Sequence, residues 1–130
     1  GKGAEQTVAP EGDDYHLVVA KVEDTKTKKG DPMDTLTIRI LGVDGKYSPF
    51  KHYITYPKEG DSEDFVAMKA REIRRLCHLF GVAYSDDGFD PEDLAGAETT
   101  EGRLAVESYE RDDGSVIENN KLVLPRVVEE

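Results

Sequence analysis

The sequence predicts a mainly β domain: five short strands, with one α-helix between the third and the fourth. Three observations carry this expectation. Residues alternate between apolar and polar over 35–40 and again over 47–56, the period of a half-buried strand. Glycine-bearing turns at Gly30-Asp31, Asp44-Gly45 and Asp113-Gly114 separate the strand-like runs. A single stretch, 61–81, carries apolar residues at helical spacing between a start and a stop signal.

Residues 1–13 mix glycine, alanine, proline and acids without a period, which predicts a flexible leader before a domain spanning 14–126. The first strand, Tyr15 to Val22, is rich in β-branched residues and gives way to Glu23-Asp24. A lysine-rich turn follows, with Lys26, Lys28 and Lys29 leading into Gly30. In the second strand Leu36, Ile38 and Ile40 are expected inward and Thr35, Thr37 and Arg39 outward. The third strand, within 47–56, should return beside it as a hairpin across Asp44-Gly45.

Asp61-Ser62-Glu63-Asp64 supplies capping and acidic side chains for a helix N-terminus, and Gly81 a stop after Phe80. Phe65, Val66, Met68, Ile73, Leu76, Cys77, Leu79 and Phe80 fall on one broad face, opposite Arg71, Arg74 and Arg75. Residues 84–101 form an acidic connector with a short helical turn after Asp90-Pro91. Arg103 to Tyr109 and Ile117 to Leu124 complete the set across the turn 111–115, and 127–130 make a short acidic tail.

At 130 residues the chain suits one domain with its own core. Its net charge of −11 opposes nonspecific attraction to nucleic acid or anionic membranes, so any polyanion site must be a local patch. The single cysteine, Cys77, rules out an internal disulfide and fits a buried thiol in a reducing compartment. No run of eighteen apolar residues is present, and an intracellular location is expected.

Three strands, a helix and two strands is the element order of the oligonucleotide-binding (OB) barrel, whose second and third strands and flanking loops form the usual ligand face. Alternation turns Arg39, Lys51 and Tyr53 onto that face. Guanidinium and ammonium groups neutralise phosphates, while a phenol ring stacks on an unpaired base. Lys26, Lys28 and Lys29 flank one edge, and Lys46 and Tyr47 the turn between strands two and three. Arg103, Tyr109 and Arg111 extend the candidate track along strand four.

Other chemistries find little support. His16, His52 and His78 are widely spaced and the cysteine is single, so no zinc set is formed. Asp86-Asp87-Gly88-Phe89-Asp90 lacks the spacing and bidentate glutamate of a calcium hand. With no phosphate loop or nucleophile elbow, neither catalysis nor a cofactor is expected.

Several segments in order resemble a bacteriophage family. They are Lys28 to Met33 with Leu36 and Ile38, Phe50 to Thr55, Leu79-Phe80-Gly81-Val82, Asp90 to Gly96, and Tyr109 before the final strand. That family, formerly catalogued as a domain of unknown function, comprises small OB-fold proteins that bind single-stranded DNA. The resemblance spans about residues 14–125. It implies a replication or recombination accessory protein in the cytoplasm of an infected bacterium, with the family's lysine-glycine turn at Lys28 to Gly30 and its outward third-strand positions at Lys51 and Tyr53. Lys51 stands where many relatives carry a large aromatic, leaving Tyr53 to do the stacking. The expected partner is single-stranded DNA, with replication or recombination proteins as further partners of the acidic surface. The alternative is a protein-interaction module, an adaptor or inhibitor docking its acidic surface on a host DNA-processing enzyme.

Overall fold

A computed structural model describes residues 7–43, 45–85 and 88–127. Five strands form one antiparallel sheet: β1 (Gly12–Lys26), β2 (Pro32–Ile40), β3 (Phe50–Thr55), β4 (Glu98–Glu110) and β5 (Val116–Val123), in the order β3-β2-β1-β4-β5. One helix, α1 (Glu63–Phe80), lies between β3 and β4. The mainly β class and the element order agree with the expectation. The edge strands β3 and β5 approach one another, but no ladder joins them, so the sheet is open.

β1 is longer than its β-branched centre announces, because it serves two neighbours. Its first part pairs with β4, from Gly12 opposite Leu104 to Val18 opposite Glu98. Its second part pairs with β2, from Leu17 opposite Ile40 to Lys26 opposite Pro32. A register shift between Val19 and Lys21 inserts an extra residue, so Val19 and Val22 both face the core. β2 and β3 form the expected hairpin, with Ile38 opposite Phe50. Its connection runs over 41–49 rather than closing as a tight turn, and Asp44 lies outside the described residues.

The core is built by the inward set Leu17, Val19, Leu36, Ile38, Phe50 and Ile54 with Leu104 and Leu122. Leu76, Leu79 and Phe80 from the C-terminal half of α1 close it, and Leu94 plugs it from the 3₁₀ turn Pro91–Leu94. Ser62 Oγ accepts from Phe65 N at 3.1 Å at the start of α1, and Gly81, at φ 68°, ends it with Val82 N donating to Cys77 O. Val66 and Met68, expected on the packed face, are exposed, because only the second half of α1 meets the core. Cys77 is fully buried, and burial, with the Asp93 charge adding to it, lifts its thiol to about 11.

The N-terminal segment is held from Thr7 onward. Ala9 is buried against β5, and Tyr15 Oη donates to Pro10 O at 2.6 Å. Residues 1–6 of the expected leader and 128–130 of the expected tail lie outside the described residues; Val127, the first residue assigned to the tail, is buried. Among the described residues no helix is long and apolar enough to cross a membrane.

Candidate nucleic-acid interface

Antiparallel partners project on the same side of a sheet, so the ladders define the outer face row by row. Lys21, Thr37 and Lys51 form one row across β1, β2 and β3; Glu23, Thr35 and Tyr53 form the next; Thr25, Met33 and Thr55 a third. Arg39, opposite Val18, continues the face two positions beyond Thr37. Arg39, Lys51 and Tyr53 therefore share one surface, as expected, and Tyr53 is 55% exposed. Thr25 Oγ1 and Thr35 Oγ1 lie 2.9 Å apart and tie the outer side of β1 to β2 beside Tyr53.

The sequence reading missed Lys21. Simple alternation from Val19 would turn it inward; the bulge turns it outward. It is paired with Glu23 at 3.4 Å, an exposed contact worth little and easily exchanged for a phosphate. Among the described residues Lys28, Lys29, Arg39, Lys46 and Lys51 form no ion pair with an acid.

The β1–β2 turn is closed by Thr27 N donating to Asp31 O and Gly30 N to Thr27 O, both at 2.9 Å. Gly30 takes φ 87°, a conformation costly for other residues. This presents Lys28 and Lys29 to solvent. Lys58, from beyond β3, reaches Asp31 at 3.3 Å and adds a cation the sequence reading did not include. Lys26 pairs with Pro32 in the same register as the inward Val22–Leu36 pair, so it projects on the side of the sheet away from Tyr53.

At the other end, Arg39, Lys46 and Tyr47 line one open groove of about 530 Å³. The Lys46 ammonium sits 5.4 Å from the Tyr47 ring centre. Tyr47 is half-buried against the core and is a wall of this groove rather than a free stacking ring.

Arg103, Tyr109 and Arg111 are not brought to this face. Arg103 is level with Asp13, whose carboxylate it meets at 3.4 Å. That is five residues along β1 from Val18, about 16 Å at the rise of a strand and so about two screening lengths at physiological salt. β4 outruns β1, leaving Ala105–Glu110 paired with β5 alone as a projecting two-stranded arm. This arm carries Glu107, Glu110, Asp112, Asp113 and Glu118 against Arg111 and Lys121, the latter meeting Glu107 at 3.3 Å. Tyr109 and Val116 are exposed on it, and Asn119 Nδ2 donates to Tyr109 Oη at 2.9 Å. An acidic ribbon repels phosphates, and the two residues assigned there from sequence lie in that field.

On the inward side of β3, His52 faces a small cavity of about 50 Å³ shared with Lys69, Glu72 and Leu76. Burial lowers its pKa below the ordinary value, with Glu72 opposing and Lys121 reinforcing the shift. Lys69 Nζ donates to Thr55 Oγ1 at 2.7 Å and so joins α1 to β3 beside Tyr53. Among the described residues no group of three metal-ligating side chains converges. No protein-family model matches the chain, and no curated protein shows significant similarity to it.

Proposed function

We propose that the chain binds single-stranded DNA, without catalysis, on the outer face of β1, β2 and β3. The observation that carries this reading is the row Lys21–Thr37–Lys51 with Arg39 and the exposed Tyr53 on the same surface, in a protein whose net charge is −11. Lys21, Arg39 and Lys51 outnumber the one acid of these rows, Glu23, while acids outnumber bases in the chain as a whole. This favours a flexible strand that can follow the strip over a rigid duplex, which would present phosphates to the acidic surroundings. The strand order, with β3 and β5 close together, is also that of a partly open OB barrel, and the loop lysines then flank its ligand face. On the family resemblance, the biological setting is phage replication or recombination. The test is fluorescence anisotropy with oligothymidine and a duplex of equal length at two salt concentrations. Preference for the single strand, with affinity falling steeply with salt, supports the reading; equal or absent binding rejects it.

A second reading has its own observation. The acidic arm with exposed Tyr109 and Val116 suits a basic protein surface, as an adaptor or inhibitor would need. Retention of a host protein from nuclease-treated lysate that is lost on deleting 107–119, without oligothymidine binding, would favour it.

A further inference from the structure

The groove at the end of β2 gathers two cations of an acidic protein. Among its described lining residues are Arg39 and Lys46, in a chain with 28 acidic and 17 basic residues. Its volume of about 530 Å³ lies within the ~300–1,000 Å³ of small-ligand sites.

We infer that this groove is a pocket for one nucleotide unit, with the phosphate between Arg39 and Lys46 and the base against the wall made by Tyr47 and the loop backbone. The inference rests on the reading above, since Arg39 belongs both to the strand-binding face and to the groove. The two cations are exposed at the groove and suit a phosphate, the guanidinium as a planar fork and the ammonium as a point charge. The Tyr47 ring is held by the core and already lies near an ammonium, so it offers a fixed aromatic surface. Gly42 and Gly45 adopt φ 79° and 73°, and none of the described residues beyond their chain neighbours stands within 4 Å of where their β-carbons would be, so the backbone at these two positions is open to close approach.

Thr7 and Ser48, also in the lining, are fixed too. Thr7 N donates to Ser48 Oγ at 3.1 Å and Ser48 N to Thr7 O at 2.9 Å, pinning the N-terminal segment along the groove. A site of this kind gives the bound strand a starting position, because one nucleotide is seated while its neighbours lie along Lys51 and Tyr53.

The test is an amide chemical-shift titration with thymidine 5′-monophosphate, with thymidine and inorganic phosphate as separate probes. Saturable shifts at Gly42, Gly45 and Ser48 are expected for the nucleotide, at concentrations at least about tenfold lower than for either fragment. Arg39→Ala with Lys46→Ala should abolish them, and Lys51→Ala with Tyr53→Ala should leave them in place while weakening oligothymidine binding. No saturable shift at those amides, an equal response in the Arg39/Lys46 variant, or an equal response to phosphate alone would overturn the pocket. Oligothymidine binding that persists without nucleotide shifts rejects the pocket and leaves the broader reading standing. Nucleotide shifts without oligothymidine binding do the reverse.

Discussion

Asn120 on β5 holds both backbone groups of Ala9: its Nδ2 donates to the Ala9 carbonyl at 2.9 Å, and its Oδ1 accepts from the Ala9 amide at 2.8 Å. A side-chain amide here does what a neighbouring strand would do, and both residues are buried. Asn120→Ala should cost about 1–3 kcal/mol for each group left unsatisfied, read as a lower urea midpoint. Asn120→Asp should be worse at neutral pH, since it removes the donor and buries a charge, and should recover in part in acid. An unchanged midpoint would mean that the segment before β1 is not part of the cooperative fold.

Gly102 on β4 opposes Tyr15 on β1. A β-carbon there would lie 2.4 Å from Leu17 Cδ1 and 2.9 Å from the Tyr15 carbonyl oxygen. Leu17 is fully buried and cannot swing aside freely. Gly102→Ala should therefore destabilise by about 1–3 kcal/mol or more through overpacking. Combining it with Leu17→Ala should cost less than the two single changes together, because the removed side chain makes the room. Strict additivity in thermal denaturation would refute the steric account.

Tyr53 and Tyr109 are almost equally exposed, at 55% and 53%, so exposure does not separate them. Their surroundings do. Tyr53→Ala should weaken oligothymidine binding by about 1–3 kcal/mol, roughly five- to 150-fold. Tyr109→Ala and Arg111→Ala, on the acidic arm, should each change it less than about twofold. If Tyr109→Ala matched Tyr53→Ala in anisotropy titrations, the strand would have to run over β4, and the assignment to β1, β2 and β3 would be wrong.

His52 makes stability depend on pH. Its pKa in the folded state is depressed below the ordinary ~6.5, so the unfolded chain takes up the proton first as pH falls. This contribution is complete above about pH 6.5. It is lost progressively as the pH drops from there through the folded value. His52→Gln should flatten that part of the profile in denaturant unfolding series between pH 8 and 5. Parallel profiles for the two proteins would show that His52 does not cause it.

Much of the fold was legible in local chemistry. The caps of α1 at Ser62 and Gly81 and the turn after Asp90 follow from single residues whose preferences are strong. The outward placement of Arg39, Lys51 and Tyr53 followed from unbroken alternation in β2 and β3. Lys21 was hidden because the bulge reverses the faces partway along β1, and only the spacing of Val19 and Val22 hints at it. Arg103, Tyr109 and Arg111 were grouped with the others because sequence shows that β4 exists but not where it leaves β1. The exposed Val66 and Met68 show the same limit: amphipathic spacing marks a face, while the length of helix that finds a core depends on the sheet beneath it.

The ladders on the two sides of β1 overlap at Leu17 and Val18, and backbone bonds of His16 to Leu41 and of Val19 to Gly96 and Ala97 extend the overlap by one residue each way. The half of the sheet with the cationic strip and the half with the acidic arm are thus spliced over the short stretch His16 to Val19, and fraying in one half meets a natural stopping point there. Amide exchange in β2 and β3 can then proceed through openings that leave β4 and β5 closed, with Leu17 and Val18 protected longest. A bound strand would slow exchange in the first half and leave the second almost untouched.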